Sequence, residues 1–207
     1  MRNLKRTLSL ALASVMLVGM MSVGASAVNA SDFTDADEIV NKDAVSTMTA
    51  LGIINGKEDG SYFDPTGTVT RAEMAKMLCV AINGGVDPVL GVKDTPTFTD
   101  IKGHWAESYI EYCAANGIIA GRGNNKFDPT GTVSATEAAK MLLGVLGYSA
   151  EKSGLVGNDW AINTNVLANQ NGLYKKLSNL NANTLLTRDN AAQMIYNALD
   201  ADMVELN

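Results

Sequence analysis

The chain has 207 residues, of which 46% are hydrophobic and 18% are charged, and this composition excludes disorder along most of its length. Sixteen Lys and Arg residues against 22 Asp and Glu residues give a formal net charge of −6. A chain this acidic has no general positive field for nucleic acid or an anionic membrane, so an anionic partner must be bound by local cations. One histidine and two cysteines leave few groups for metal binding or nucleophilic catalysis.

The first 27 residues are predicted to be a secretory signal peptide. Three cations within the first six residues precede an apolar run at 8–21, and small residues at 25–27 match what a signal peptidase requires. The run is shorter than the ~20 apolar residues that span a bilayer. We therefore expect an exported protein that is cleaved after Ala27 and does not insert into a membrane.

The rest of the chain contains one unit repeated three times. The sequence Phe-Asp-Pro-Thr-Gly-Thr-Val occurs at 63–69 and again, unchanged, at 127–133. An apolar series with helical spacing follows each copy, and a third series follows Thr187. The repeat length of roughly 55 to 65 residues places the units at 32–85, 97–148 and 157–200, the third being divergent.

Each unit is predicted to form two helices joined by a loop, which gives an all-α fold. The first helix of each unit ends at a glycine followed by an apolar residue, a pattern typical of a helix stop. The apolar stripe of this helix is predicted to start at Val40 in the first unit and at Trp105 in the second. The second helix starts at a capping box, in which a hydroxyl and a carboxylate satisfy the first backbone donors. The boxes are Thr70 with Glu73 and Ser134 with Glu137.

Several motifs together resemble the S-layer homology domain. They are Phe-x-Asp at 33–35 and 98–100, His-Trp-Ala at 104–106, Gly-Ile-Ile with a later glycine at 56 or 121, Phe-Asp-Pro, and Thr-Arg-Ala-Glu at 70–73. The resemblance implies three such repeats, arranged as a pseudo-threefold helical spindle. It also implies noncovalent attachment to an anionic secondary cell wall polysaccharide, commonly pyruvylated, at the surface of a Gram-positive-type bacterium.

The same resemblance implies that the arginine of the last motif contacts the ligand in grooves between repeats. The ligand-binding residues are then Arg71, Arg188, Thr70 and Thr187, with Trp105, Trp160 and Gly121 as further candidates.

The two arginines have an independent rationale, because each occupies the first position of a predicted helix. A cation there is unfavourable by ~0.3–1 kcal/mol, whereas free backbone donors and a guanidinium together suit a carboxylate or phosphate. The residues alone leave open the alternative that these arginines pair with an acid of a neighbouring repeat, such as Asp35 or Asp100. The second unit has Ala135 at this position, so at most two grooves are expected to work.

Other chemistry is not expected. The capping spacing explains Glu73 and Glu137 without catalysis, and His104 has no second histidine or cysteine pair at ligand spacing, so no metal or cofactor is predicted. The acidic cluster at 32–38 is predicted to be solvated.

For Trp105 and Trp160, packing in the core is favoured over stacking on sugar rings. Cys79 and Cys113 are predicted to be buried, unpaired core residues.

These observations predict an exported, non-enzymatic module that holds its protein on the cell wall by binding an anionic polymer. The alternative is a structural protein whose repeats contact other copies in a surface lattice. Self-association of the chain stays open at this point.

Overall fold

The computed structural model describes residues 28–177, 180 and 183–204, so the predicted signal peptide lies outside the described residues. Two short 3-10 helices, Ala30–Asp32 and Ala36–Glu38, precede the α-helices, and no β-strand occurs in the described part. The α-helices, numbered α1 to α6, are Lys42–Ala50, Arg71–Ile82, Glu107–Ala115, Ala135–Val145, Trp160–Gln170 and Arg188–Leu199. The all-α prediction is confirmed. No helix within these ranges is long and apolar enough to cross a membrane.

The first helix of each unit ends in the same way. Gly52, Gly117 and Gly172 have φ angles of 68°, 71° and 69°, in the left-handed region that only glycine adopts without strain. The residue after each glycine donates its backbone N–H to the carbonyl five residues earlier, at 2.9 Å in all three units. The predicted glycine stops are therefore confirmed, and each redirects the chain into the loop that leads to the second helix.

Helices pack mainly between units rather than within them. The second helix of unit one, α2, packs on α3 of unit two, and α4 packs on α5 of unit three. The last helix, α6, returns to pack on α1 of unit one. Each unit therefore buries its second helix against a neighbour, and the pairing is cyclic.

Three backbone hydrogen bonds join the units just before their second helices. The N–H of Val69 donates to the carbonyl of Leu186 at 2.9 Å, Leu186 donates to Val133 at 2.8 Å, and Val133 donates to Val69 at 2.9 Å. All three side chains are buried. One residue of each unit thus takes part in a closed ring of hydrogen bonds, whereas the pseudo-threefold spindle itself stays a prediction.

Two of the predicted apolar stripes are wrong at their first residue. Val40 is 83% exposed and Trp105 is 56% exposed. The helices begin only at Lys42 and Glu107, so these two side chains precede the helical turns whose faces they were assigned to. Farther along, the stripe of α3 does reach the core, at Cys113, which is fully buried.

Candidate ligand-binding site at the unit boundaries

The Phe-Asp-Pro loop of each of the first two units is held by the aspartate of the Phe-Thr-Asp motif. In unit two the carboxylate of Asp100 accepts hydrogen bonds from the N–H groups of Phe127 at 2.9 Å and Asp128 at 2.8 Å. In unit one Asp35 accepts from the N–H groups of 63 and 64 at 2.9 and 2.7 Å. Asp35 is buried, so its assignment to a solvated acidic face is wrong.

The pKa of the Asp100 carboxyl reflects this arrangement. Burial raises the pKa, but the backbone donors at Phe127, Asp128 and Asp100 itself, together with the charge of Lys126, outweigh burial. The net pKa therefore lies below the ordinary value, which means that the loop stabilises the charged carboxylate.

Gly121 lies where the loop passes the aromatic pair of unit two. The rings of Phe98 and Phe127 are 5.5 Å apart between centroids. A Cβ at Gly121 would lie 2.7 Å from the carbonyl oxygen of Lys126 and 2.7 Å from the Phe98 ring. This contact gives Gly121 a packing role, and its contact with a ligand stays a prediction.

Arg71, the first residue of α2, reaches into unit two. Its Nε donates to the carbonyl of Phe127 at 2.8 Å, and its Nη2 donates to the carbonyl of Ala120 at 2.7 Å. The guanidinium lies over the Phe127 ring, 4.4 Å from the centroid, and the side chain is only 4% exposed. A single buried arginine therefore holds two points of the loop between α3 and α4.

Arg188, the first residue of α6, makes the corresponding contacts to unit one. Its Nε donates to the carbonyl of Phe63 and its Nη2 to the carbonyl of Asn55, both at 2.7 Å. The guanidinium lies 5.0 Å from the centroid of the Phe63 ring. We refer to these two places as the Arg71 boundary and the Arg188 boundary.

The backbone donors at these two helix starts are already used. At α2 the N–H of Arg71 donates to Gly131 at 2.8 Å, and the N–H of Ala72 donates to Pro129 at 3.0 Å. At α6 the same two positions donate to carbonyls of the loop at 65–67, at 2.9 and 3.1 Å. The expectation that free backbone donors would assist an anion at these termini is therefore wrong, because the neighbouring loop takes them.

Hydroxyl groups cap all three second helices. Each accepts a hydrogen bond at 3.2 Å from the backbone N–H three residues later. In the first two units the glutamate at that position also accepts from the N–H of the cap residue, at 2.7 and 2.8 Å, which completes both predicted boxes. The pairs are Thr70 with Glu73, Ser134 with Glu137, and Thr187 with Asn190.

Three cations lie close together at the Arg71 boundary. Arg71 Nη1 lies 3.6 Å from Glu137 Oε1, a distance longer than a hydrogen bond. The side chain of Arg122 is 39% exposed and bonds to Glu137 at 2.8 Å and to Asp128 at 3.0 Å. Burial lowers the pKa of Lys140, and the nearby charge of Arg71 lowers it further. Three cations therefore share this boundary with several carboxylates, and Arg122 is the most accessible of the three cations.

The acid that compensates Arg71 belongs to the neighbouring unit. Burial lowers the pKa of Arg71, and among the nearby charges Glu137 opposes this most strongly, ahead of Asp128 and Asp100. The alternative, in which the arginine pairs with an acid of a neighbouring repeat, therefore fits Arg71 in part. The closest partners are carbonyl groups, and the main acid is the capping Glu137.

The Arg188 boundary also combines a buried arginine with an exposed cation. Lys57, in the position of Arg122, forms an ion pair with Asp64 and is 40% exposed. Burial lowers the pKa of Arg188, and the charges of Glu73, Asp64 and Asp35 oppose this. Lys57 and Arg122 are not among the predicted ligand-binding residues, although each is a cation directly after a glycine that both loops share, Gly56 or Gly121.

The boundary between units two and three lacks this set of charges. Ala135 occupies the arginine position, is buried, and donates its N–H to the carbonyl of Thr184 at 2.9 Å. Asn190 and Gln193 stand where unit two has Glu137 and Lys140. The arginine, the capping glutamate and the lysine are therefore all absent from this boundary.

The two tryptophans lie outside the main core. Trp105 is 56% exposed and contacts His104, with ring centroids 5.4 Å apart, so the prediction of core packing is wrong for this residue. Trp160 is partly exposed and lies under the Nζ of Lys140, 5.1 Å from the ring centroid. Lys140 therefore connects Trp160 to the Arg71 boundary.

The protein is thus built from two-helix units, and a buried arginine joins neighbouring units at two of their boundaries. The family model for the S-layer homology domain matches residues 32–75 and 97–139, which include both Phe-Asp-Pro loops and both capping boxes. The chain therefore contains two segments that match the S-layer homology domain. The third unit, with α5 and α6, lies outside the matched segments.

Known relatives of this chain are larger proteins. A cell surface protein of Thermoanaerobacter kivui is 28% identical over 99% of this chain and 26% of its own length. An S-layer protein of Bacillus licheniformis is 30% identical over 55% of this chain and 12% of its own length. Exoglucanase XynX of Acetivibrio thermocellus is 28% identical over 70% of this chain and 14% of its own length. The chain thus spans about a quarter or less of the length of these curated relatives.

Proposed function

We propose that this chain holds an exported protein noncovalently on the bacterial cell wall by binding an anionic secondary cell wall polysaccharide. The observation that carries the proposal is the cluster of three cations at the Arg71 boundary, of which Arg122 is exposed, in a chain whose overall charge is −6. The names of the relatives, a cell surface protein and an S-layer protein, support a location at the cell surface. A pyruvylated sugar would supply the carboxylate that such a surface selects.

The buried and the exposed cations have different tasks in this proposal. Arg71 holds the loop of unit two through Nε and Nη2, which leaves its Nη1 group and the positive charge of the guanidinium for a ligand. Arg122 supplies the accessible guanidinium, and a carboxylate can replace Glu137 or Asp128 as its partner. Arg188 and Lys57 divide the work in the same way at their boundary. Bidentate binding to arginine gives the carboxylate a defined orientation.

Neutral parts of the polymer need apolar contacts as well as charge. Trp105 offers an exposed ring, and Trp160 offers a ring beside Lys140. We assign both to sugar contacts, with Thr70 and Thr187 as capping residues that fix the helix starts beneath the ligand. No catalytic step is assigned to any of these residues.

The test is sedimentation of residues 28–207 with purified cell walls, before and after removal of the secondary polymer. The protein should pellet with intact walls and remain in solution with stripped peptidoglycan. Binding should weaken with salt through only a few ionic contacts. Equal pelleting with both preparations would contradict the proposal.

Single substitutions separate binding from folding. Arg122→Ala and Lys57→Ala remove exposed cations and leave the buried arginines in place, so each should weaken wall binding about fivefold to tenfold with little change in the melting temperature. The matched control is Lys102→Ala, because Lys102 is exposed and forms no ion pair with the described residues. Equal losses in all three variants would show that binding depends on net charge rather than on these boundaries.

A surface lattice is the second candidate function. It is favoured by the exposed apolar side chains of Val86, Val89 and Val92 in the segment between units one and two, and by relatives named S-layer proteins. The same sedimentation experiment without walls tests it. Lattice formation requires protein alone, whereas polymer binding requires the wall carbohydrate.

A further inference from the structure

The two cysteines of the chain are in contact with each other. Cys79 lies in α2 and Cys113 in α3, and their Sγ atoms are 3.4 Å apart. Both are buried, at 1% and 0% exposure, and both are free, as the sequence predicted. They are the only cysteines among the 207 residues, so neither has another thiol to pair with.

The pair lies at a contact between units rather than within one. Helix α2 closes unit one, α3 opens unit two, and the two helices pack directly on each other. At the sister contact of α4 with α5, the corresponding positions hold Leu143 and Ala168, which are both fully buried. Two apolar positions, one from each unit, are thus occupied by thiols at the same contact.

Each thiol is also placed by a backbone group of the opposite helix. Cys79 Sγ lies 3.6 Å from the carbonyl oxygen of Tyr109, and Cys113 Sγ lies 3.6 Å from that of Ala75. The two sulfurs therefore face each other across the helix interface rather than pointing along it. Only a small approach of the two helices separates this contact from a covalent bond.

We propose that Cys79 and Cys113 form a disulfide when the protein enters an oxidising medium, and that this bond staples unit one to unit two. Each thiol loses one proton and one electron, and a low-molecular-weight disulfide accepts the two electrons and two protons to become two thiols. The bond closes a loop of 35 residues, 79–113, which contains the whole segment between the units. It stabilises the fold by restricting the unfolded chain.

Burial determines when the bond forms. Hydrogen bonding to Cys79 and burial both raise the pKa of Cys113, so this thiol supplies little thiolate, and both sulfurs are buried away from a disulfide in solution. Oxidation is therefore efficient during folding outside the cell and slow once α2 and α3 are packed. The staple secures the helix that carries Arg71, but its formation does not depend on wall binding.

The test uses residues 28–207, refolded from denaturant with oxidised and reduced glutathione and, in parallel, with a reductant only. The oxidised sample should be about 2 Da lighter by intact mass, as expected for loss of two hydrogens. Without reduction, a tryptic digest should contain peptides 77–93 and 103–122 as one linked species. The melting temperature should rise on the order of 10 °C over the reduced sample.

Cys113→Ala is the control, because the corresponding residue of unit three is Ala168 and the change leaves a small apolar side chain. This variant should fold, give no linked peptide, and melt at one temperature in both buffers. Two thiols recovered in denaturant after oxidative refolding, or only disulfides between molecules, would overturn the proposal. A linked peptide without a rise in melting temperature would overturn the stabilising role.

Discussion

Replacing Arg71 by alanine should destabilise the entire fold, not only weaken a binding site. The side chain is 4% exposed, and its guanidinium donates to the carbonyls of Phe127 and Ala120 in the next unit. Alanine removes both donors and leaves the buried carbonyl of Phe127 without a partner, while the carbonyl of the exposed Ala120 can turn to water. A residue that looks like a ligand contact in the sequence is therefore also a structural contact between units.

The size of the effect follows from three contributions. A buried acceptor left without a donor costs about 1–3 kcal/mol, and this applies to Phe127, whereas the loss at the exposed Ala120 is about 1 kcal/mol or less. The guanidinium over the Phe127 ring at 4.4 Å adds about 0.5–2 kcal/mol. Burial of the charged guanidinium is itself unfavourable, so removing the guanidinium recovers part of the lost stability. We expect a net loss of about 2–4 kcal/mol, which for a chain of this size lowers the melting temperature by roughly 5–12 °C.

The measurement is urea and thermal unfolding of residues 28–207, followed by circular dichroism. Arg122→Ala, at the same boundary, is the control and should change the free energy of unfolding by less than about 1 kcal/mol, because its ion pairs are exposed. Arg71→Lys should lie near the alanine variant, since an ammonium group cannot donate to both carbonyls in the geometry of a guanidinium. A loss below about 1 kcal/mol for Arg71→Ala would refute the structural role.

Four further outcomes are expected. Ala135→Arg should lower stability by about 2–4 kcal/mol and add no wall affinity, because the site is buried and unit three has no Phe-Asp-Pro loop to accept the guanidinium; a gain in affinity in the sedimentation assay would contradict this. Asp100→Asn should lower the free energy of unfolding by about 1–3 kcal/mol, since the NH2 group of asparagine then faces a backbone N–H donor. The folded pKa of Asp100 is depressed, so its contribution is complete above pH ~4 and is lost as the pH falls through the folded pKa; the deficit in urea unfolding should shrink on acidification. Gly121→Ala should cost about 1–3 kcal/mol because its Cβ meets a carbonyl at 2.7 Å, whereas Gly91→Ala, with open space, should be neutral in the same melts. The fragment 97–148 should show a weak, noncooperative helical signal, because the main packing partners of its two helices lie outside it; a sharp melt would contradict the shared core.

Local features of the fold could be predicted from the sequence because they depend on neighbouring residues. The glycine stops at 52, 117 and 172 and the capping boxes at Thr70 and Ser134 need only a glycine or a hydroxyl at the right spacing. Helical periodicity also gave the buried face of the second helices. It failed at Val40 and Trp105, because the start of a helix is less well determined by pattern than its interior.

The partners of the arginines could not be predicted in the same way. The acceptors of Arg71 are carbonyl oxygens of Ala120 and Phe127, and a backbone carbonyl has no signature in the side-chain sequence. The pairing of α2 with α3 rather than with α1 is likewise invisible to periodicity, which shows the apolar face of a helix but not what covers it. The proximity of Cys79 and Cys113 is a consequence of that pairing.

The boundary at Ala135 shows what an arginine at this position depends on, because Arg71 and Arg188 occupy it in the other two units. Its backbone bonds are intact: Ala135 donates to Thr184, and Val133 still takes part in the ring that joins the units. Closing a boundary therefore does not require arginine in general. Arginine is present only where the next unit offers a Phe-Asp-Pro loop, and in unit three the loop is missing together with the charged residues around it. The arginine and the Phe-Asp-Pro loop therefore occur together and bind to each other. The loop at each of these two boundaries also carries an exposed cation, Arg122 or Lys57, and substitutions there should separate the proposed wall binding from folding.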